Sequence, residues 1–538
     1  MQLIRKPIST TWYHRSFRAL GGFLARINLF LFGQKITFSS VVLVAMAFFI
    51  PFIMGVASGL IGGLPVLLFI LGLLFLFLTL RDYRAGALIA VMLLPLSASH
   101  FLPRSLGGIK GANPLNMVLV LSVVSLLLVQ VFSREKIIIP KLPRPFVWFL
   151  AVMAFEGLNG AMSYNLIPPY YKALEIIAFE SPVGYLRDIW FKPMIILGVA
   201  YMLGVATANA KKSITYLIPL FASTIPLPMM VLALVAFSGM SLAALGGTNA
   251  RGFLTQLGVH ANELGLMFNM CFALALFVAF SFRNLFVRLG LIGIIGLMSV
   301  AVGLTFSRGA FLGYLMVIGY FLFTQRRFQL MLAVFLFGLV GALFLPKAIV
   351  ERATVGVKSG NVAAISAGRV DAIWIPLLPQ VLKSPIIGGG LSSVLWSDAA
   401  RTRAILPVGH PHSAYLGVLL DFGFGGMIIV FLFFRHMWQT FSSLAKQHED
   451  QLWRGYFQGA RACVMLAALQ GVTDDHFTPT LPMVFLWLSY GLALGLLTRH
   501  QLALQATNSA ANSAAKDAAA AMKDNRLSKG FKVSKAKG

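Results

Sequence analysis

The residues best suited to chemistry lie in one short run, GHPHS at residues 409–413, and Gly423 follows ten residues after its serine. If Ser413 opens a helix, Gly423 lies three turns plus about 20° beyond His412, so the two residues share one stripe. Glycine on that stripe allows a neighbouring helix to approach closely. A histidine positioned in this way could act as a general base. We predict a catalytic His412 supported by Ser413 and Gly423, and the alternative is a histidine at headgroup depth without chemistry.

A second set of candidates consists of arginines in segments that we place opposite most of the basic residues: Arg251, Arg308, Arg369, Arg401 and Arg403. Arg308 begins a predicted span, and Gly309 and Gly313 behind it form a small-residue face that should seat the helix tightly. A planar guanidinium there either binds phosphate bidentately or snorkels to lipid headgroups, and both interpretations stay open. Arg369 opens a segment with Trp374, which we expect to form an interfacial helix.

The acidic residues on the same side have plainer interpretations. Glu263 follows Asn262 at the start of a span, where a carboxylate stabilises the helix N-terminus, and a supporting role at the site is the alternative. The Asp-Asp-His run at residues 474–476 is typical of a solvated loop. The chain lacks an Asp-x-Asp pair, a phosphate loop and a His-Glu-x-x-His motif. We therefore predict neither a metal site nor a cofactor.

Composition fixes the class of protein that must position these residues. The 538 residues are 58% hydrophobic and only 11% charged, and the mean hydropathy is +0.83. Soluble domains carry roughly a quarter charged residues, so a water-soluble fold is excluded. Many apolar runs reach the roughly 18–20 residues that cross a bilayer as a helix. We predict an all-α fold, a polytopic membrane helix bundle with about 12–14 transmembrane helices.

The predicted spans organise the chain around a transmembrane domain at residues 36–500. They are 36–56, 61–80, 85–102, 115–132, 145–161, 191–209, 213–237, 263–281, 286–305, 308–324, 328–345, 411–434, 455–472 and 481–498. Threading them from a cytoplasmic start places most basic residues on one side, which explains the net charge of +27 by topology and not by nucleic-acid binding. Both termini are then cytoplasmic: a basic arm at 1–35 and a disordered basic tail at 501–538, which we expect to touch membrane lipids. The large outer loop at 346–410, with one amphipathic helix from Arg369 to Leu382, is expected to form a lid.

The region 250–430 resembles the O-antigen ligase and polysaccharide polymerase superfamily. The motifs that carry the resemblance are GRVDAIW at 368–374, SPIIGGG at 384–390, and His412-Ser413 followed after nine residues by Gly423. Arg308, in its Ser-Arg-Gly context, and Arg251 also match positions of that family.

The resemblance implies a membrane glycosyltransferase of the C type, inverting and metal-independent, in the bacterial inner membrane with its active site on the periplasmic face. The implied donor is an oligosaccharide on undecaprenyl pyrophosphate, and the acceptor is a glycan, lipid A-core or a protein side chain. Carried over to this sequence, His412 matches the essential histidine, Arg308 and Arg369 match arginines that bind the pyrophosphate, and Arg251 is a weaker match. The alternative function is a transporter or flippase of lipid-linked oligosaccharides.

Overall fold

A computed structural model describes residues 63–534 except 98, 100, 101, 104, 107, 108, 112, 133–135, 240–253, 255, 256, 283, 327, 328, 330–365, 367 and 474–476. Structural statements below concern this part of the chain. The predictions for the arm at 1–35, the span 36–56, Arg251 and the run 474–476 lie outside the described residues. Nearly all of the span 328–345 and the first twenty residues of the predicted outer loop at 346–410 lie outside them as well.

The described residues form an all-α membrane helix bundle, which confirms the predicted fold class. The helices are α1 (Gly63–Arg81), α2 (Tyr83–Leu93), α3 (Pro114–Phe132), α4 (Arg144–Ser163), α5 (Tyr170–Ala173), α6 (Pro182–Tyr185), α7 (Lys192–Ala208), α8 (Leu217–Ala222), α9 (Pro226–Phe237), α10 (Ala261–Ala279), α11 (Leu285–Leu304), α12 (Arg308–Thr324), α13 (Ile375–Lys383), α14 (Asp398–Arg401), α15 (Ala414–Gln447), α16 (Gln451–Gln470) and α17 (Val484–Ser534). Two short strands, β1 (Ser105–Leu106) and β2 (Ile109–Lys110), pair antiparallel.

Single turns of other helix types connect several of these elements. Five 3₁₀ turns are Leu94–Leu96, Tyr164–Leu166, Ser213–Tyr216, Ser393–Trp396 and Leu481–Met483. Two π-helical turns, Leu186–Phe191 and Val370–Trp374, run directly into α7 and α13. The second turn and α13 together match the helix predicted from Arg369 to Leu382.

Eight of the described helical segments are long and apolar enough to cross a membrane: Pro114–Phe132, Arg144–Leu166, Pro182–Ala208, Ser213–Phe237, Ala261–Ala279, Leu285–Leu304, Ala414–Gln447 and Leu481–Ala518. Three shorter apolar helices are Gly72–Arg81, Tyr83–Leu96 and Arg308–Thr324. Each predicted span that lies mainly on described residues therefore contains a helix, although residues 223–225 interrupt the span 213–237. The shorter helices show that a hydropathy run locates a helix better than it locates its ends.

Glycine contacts bring the central helices together. A Cβ atom on Gly459 of α16 would lie 2.9 Å from Cα of Leu274 in α10, and one on Gly495 of α17 would lie 2.9 Å from Cβ of Thr207 in α7. Such spacing leaves room only for hydrogen, so the helix backbones touch. Two packed groups result, with α10 enclosed by α11, α12 and α16, and α7 paired with α17.

Helix α15 is broken at Gly423, where φ is +61° and ψ is −171°. Tyr415 and Phe431 flank the break by eight residues each, yet their ring centroids are 6.0 Å apart. In a straight helix sixteen residues span about 24 Å, so the segment before Gly423 folds back along the segment after it. The prediction that Gly423 shares a straight helical stripe with His412 is therefore wrong. Ser413 is extended, with φ of −153°, and His412 has φ of +53°, so the helix begins only at Ala414, and the positive φ of Gly423 then interrupts it.

The loop after α13 closes this break, and we call the arrangement of residues 385–390 and 420–425 the glycine clasp. Four backbone N–H to C=O hydrogen bonds between 2.7 and 3.1 Å join the two segments: Gly389 to Leu420, Gly390 to Asp421, Phe424 to Pro385 and Gly425 to Ile386. Backbone groups that the interruption would leave unsatisfied inside the bundle thus find partners. A Cβ on Gly388 would lie 2.6 Å from the backbone nitrogen of Gly423. Glycine does allow close approach here, but to a loop and not to a helix.

Helix α17 continues to Ser534, so most of the segment 501–538, predicted to be a disordered tail, is helical. The segment after Gln505 is rich in alanine, the residue with the highest helix propensity. Its residues are exposed as far as Ala518, so this part of the helix is not held by packing against the bundle.

Candidate functional site

Residues 470–473, at the C-terminal end of α16, gather three segments of the chain, and we call them the polar turn. Three hydrogen bonds define this meeting point: Gln470 Nε2 to the carbonyl of Gly309 (2.9 Å), the N–H of Ala414 to the carbonyl of Gly471 (2.7 Å), and Arg369 Nη1 to the carbonyl of Thr473 (2.9 Å). Gly309 follows Arg308, and Ala414 is two residues after His412. The polar turn therefore brings the segments of Arg308, Arg369 and His412 together.

His412 stands just before helix α15 in a conformation that side chains rarely adopt, with φ of +53°. Both of its flanks are fixed. The carbonyl of Pro411 accepts a hydrogen bond from Trp374 Nε1 (2.8 Å), and Ser413, 7% exposed, caps α15 by accepting from the N–H of Leu416 (3.4 Å). The imidazole is half-buried and lies edge-on to that of His410, with ring centroids 4.1 Å apart. A non-glycine residue held at positive φ by its neighbours is a feature that clusters at functional sites.

Arg369 precedes the π-helical turn at Val370–Trp374. Its guanidinium is half-buried and donates one hydrogen bond to Thr473, while Trp374 in the same turn holds Pro411. One short helix therefore positions both an arginine and the segment of His412. Such π-helical turns are rare and are often found at functional sites.

Arg308 is the first residue of α12, half-buried, and follows Phe306, whose φ is +48°. The tight seating predicted for Gly309 and Gly313 is confirmed. A Cβ on Gly309 would lie 3.2 Å from Thr473 Oγ1, and one on Gly313 would lie 2.9 Å from Asn269 Nδ2. Arg308 is thus attached to a helix that cannot slide relative to the polar turn.

Two helix N-termini reinforce the positive charge of the arginines. Helix α12 begins at Arg308 and α15 begins at Ala414, and each bonds to the polar turn within its first two residues. A helix N-terminus carries about half a positive charge. The N–H of Ala414 already donates to the carbonyl of Gly471, so α15 contributes through its dipole. Together with two guanidinium groups, this region favours a ligand with several anionic oxygens.

The remaining predicted residues have other surroundings. Glu263 accepts from the backbone N–H of His260 (2.8 Å) and completes a capping box at the start of α10, which is the plainer role that the sequence left open. Arg401 pairs with Asp398 (3.7 Å), and Arg403 lies over the ring of Tyr170 (5.0 Å to the centroid). Lys383 also bonds Asp398, and its ammonium lowers the pKa of that carboxyl.

An apolar groove of about 300 Å³ begins beside the site, between α15 and α16. Tyr415, two residues after Ser413, lines one end and donates from its hydroxyl to the carbonyl of Ala468 (2.8 Å). The remaining wall is largely aromatic and aliphatic, and Trp438 and Arg435 line the other end. The surface suits a long hydrocarbon chain that starts near His412.

Sequence reasoning missed two functional features. The first is the polar turn itself, since Gln470 lies in the predicted span 455–472 and its role depends on contacts with distant segments. The second is Asp421, 4% exposed, whose carboxylate accepts from the N–H of Ser392 (3.0 Å) and from the N–H and Oγ of Ser393 (2.9 and 2.8 Å). A lone aspartate in an apolar helix was the available signal, because an unsatisfied carboxylate there would be costly.

Comparison with known proteins bears on this same part of the molecule. The family model for O-antigen ligase matches residues 293–431. The match confirms the resemblance to the O-antigen ligase superfamily and includes Arg308, Arg369, His412, Ser413 and Gly423. None of the curated proteins compared with this chain matches it. A membrane protein with a glycosyltransferase-like role in polysaccharide biosynthesis is the function that the match supports.

Proposed function

We propose that this chain, which carries an O-antigen ligase match over residues 293–431, transfers an oligosaccharide from undecaprenyl pyrophosphate to an acceptor at the periplasmic face of the bacterial inner membrane. One observation carries the proposal. The segments of Arg308, Arg369 and His412, distant in sequence, are all bonded to or directly beside the polar turn. Segments that carry two arginines and one histidine meet at this turn, and such residues would serve a displacement in which diphosphate leaves.

The proposed reaction is a direct displacement at the anomeric carbon of the donor sugar. The imidazole of His412 accepts the proton of the acceptor hydroxyl as that oxygen attacks, and the bond from the sugar to the diphosphate oxygen breaks. The leaving polyprenyl diphosphate is stabilised by Arg308 and Arg369 and by the N-termini of α12 and α15. Arg251 is the proposed third contact. Attack opposite the leaving group inverts the anomeric centre.

The apolar groove beginning at Tyr415 is the proposed seat of the polyprenyl chain next to the diphosphate. Because the diphosphate is already a good leaving group, the proposal needs neither a metal nor a cofactor. The acceptor is a lipid A-core in a ligase, another lipid-linked glycan in a polymerase, or a protein side chain. These acceptors differ outside the shared motif, so they are distinguished by assay.

The test is glycan transfer by the full-length protein in lipid nanodiscs, given polyprenyl-pyrophosphate oligosaccharide, one candidate acceptor at a time and a chelator. We expect product and free polyprenyl pyrophosphate from the wild type, and a rate lower by a factor of about 10²–10⁴ for His412→Ala, because a general base contributes that much. His500→Ala, an exposed histidine on α17, is the control and should keep full activity. Donor binding should be equal in all three proteins.

Two outcomes would contradict the proposal. Full activity of His412→Ala would remove the base from the mechanism. Donor that crosses a proteoliposome membrane chemically unchanged, with no transfer to any acceptor, would favour the flippase. The anomeric configuration of the product, read by nuclear magnetic resonance, tests inversion separately.

A further inference from the structure

A second cavity, of about 680 Å³, lies where several helices end, and none of its lining residues belongs to the candidate site. The junction of α1 and α2, the segment 136–138, the end of α7 and the middle of α17 line it. Five of the lining side chains are basic: Arg81, Arg84, Lys136, Lys211 and Arg499. They include groups that the positive-inside pattern assigns to the cytoplasmic side.

The charge in this cavity is poorly balanced by the described residues. Asp82 is the acidic residue among the described lining residues, and Arg84 already engages it through Nε and Nη2, with nitrogen–oxygen distances between 2.9 and 3.1 Å. Arg81, Lys136 and Arg499 form no ion pair with a carboxylate of the described chain. Like charges gathered around one space repel, and a bound anion relieves that repulsion.

Hydrogen bonds between neighbouring segments hold the walls of the cavity in place. The Asn209 side chain accepts from the N–H of Ile138 (2.8 Å) and donates to its carbonyl (2.7 Å) and to that of Val205 (2.8 Å). Arg499 Nη1 reaches the carbonyl of Thr207 (3.5 Å). The segment carrying Lys136 is thereby attached to the end of α7, so a ligand would meet a preformed site.

The lining is also partly apolar. Val129, Ile137, Ile138 and Leu502 alternate with the basic residues, and Leu502 is 41% exposed. A small inorganic anion makes no contacts with apolar side chains, whereas a phospholipid carries a hydrocarbon portion beside its phosphate and can contact both kinds of residue. Arginine binds phosphate oxygens bidentately, and basic pockets between membrane helices recognise anionic lipid headgroups.

We propose that this cavity binds the phosphate of an anionic phospholipid headgroup, with Arg81, Lys136 and Arg499 as its ligands. The site is separate from the transfer reaction. Its segment 136–138 precedes the beginning of α4 in the chain, whereas the end of α4 meets the glycine clasp, where a Cβ on Gly390 would lie 2.5 Å from the nitrogen of Gly160. A bound lipid would join α1, α2, α7 and α17 at one point.

The test compares full-length proteins in neutral detergent, with phosphatidylglycerol, phosphatidylcholine or inorganic phosphate titrated in and thermal unfolding followed by tryptophan fluorescence. For the wild type we expect the unfolding midpoint to rise with phosphatidylglycerol only. The variant R81Q/K136Q/R499Q should bind that lipid about a hundredfold more weakly, since each cation near a lipid phosphate contributes about fivefold. The control R288Q/R326Q/K446Q removes the same charge from exposed positions and should change affinity less than threefold.

Equal losses in the two triple variants would overturn the proposal, because they would show a general charge effect. A midpoint that rises as much with inorganic phosphate as with phosphatidylglycerol would show a soluble anion site and not a lipid site. If the triple variant does not fold, Lys136→Gln alone provides the test, because its side chain is exposed. It should weaken phosphatidylglycerol binding about fivefold, and an unchanged affinity would contradict the assignment.

Discussion

The polar turn and the glycine clasp both hold α15, one at its beginning and the other at its break, but the groups that make the contacts differ. At the polar turn, half-buried cationic and imidazole side chains stand beside backbone carbonyls. At the clasp the contacts are backbone to backbone, glycine replaces side chains, and the one carboxylate is 4% exposed. The first arrangement leaves charged groups able to meet a ligand, and the second encloses its charge. The difference separates the region suited to chemistry from the region that positions it.

The largest effect on stability is expected from Gly388→Ala, in the clasp. Gly388 has φ of +92°, and an added Cβ would lie 2.5 Å from the carbonyl carbon of Asp421, which is backbone and cannot rotate away. Strain and overlap together should lower the free energy of unfolding by about 4 kcal/mol. Denaturant titration in detergent measures this loss. Gly303→Ala, on α11 with nothing within 4 Å of its Cβ, is the matched control and should be neutral or slightly stabilising. Equal stability of the two variants would mean that the clasp is not closely packed.

A smaller loss of stability is expected from Asp421→Asn. The carboxylate accepts three hydrogen bonds from Ser392 and Ser393, and an amide would turn an NH₂ group toward one of those donors. Loss of a buried charge-assisted bond should destabilise the protein by about 2 kcal/mol. Asp398→Asn is the control, because that carboxylate is half exposed and lies on the surface. The same denaturant titration compares the free energies of unfolding of the two variants. Equal values would show that the three hydrogen bonds make no net contribution to stability.

The helices could be predicted from the sequence, but the contacts that join them could not. Apolar runs located the spans because a helix needs a certain length to cross a bilayer, and eight described segments reach that length. The resemblance pointed to Arg308, Arg369 and His412, but no local pattern indicated that Gln470 and Thr473 would hold their segments together. The bonds of Gln470 and Thr473 join residues 161 and 104 positions apart.

Gly423 shows why local periodicity failed at one point. Its spacing from His412 is consistent with a helix, and an isolated helix would have been straight. The loop at residues 385–390 supplies donors and acceptors to the interrupted backbone, so the bundle can accommodate a break that an isolated segment could not. The tail after Gln501, predicted to be disordered, is helical in the structure. Here local sequence decides the conformation, because the alanine content favours helix without any packing partner.

We propose that Arg308 and Arg369 bind one diphosphate beside His412, and the affinity for polyprenyl pyrophosphate in nanodiscs measures that binding. We predict that Arg308→Gln and Arg369→Gln each raise Kd about tenfold, equivalent to about 1.4 kcal/mol, and that the double variant departs from additivity because both groups contact the same ligand. Arg401→Gln and Arg403→Gln, whose side chains meet Asp398 and Tyr170, should leave Kd unchanged. An unchanged Kd for the first pair, or an equal loss for the second pair, would contradict the account.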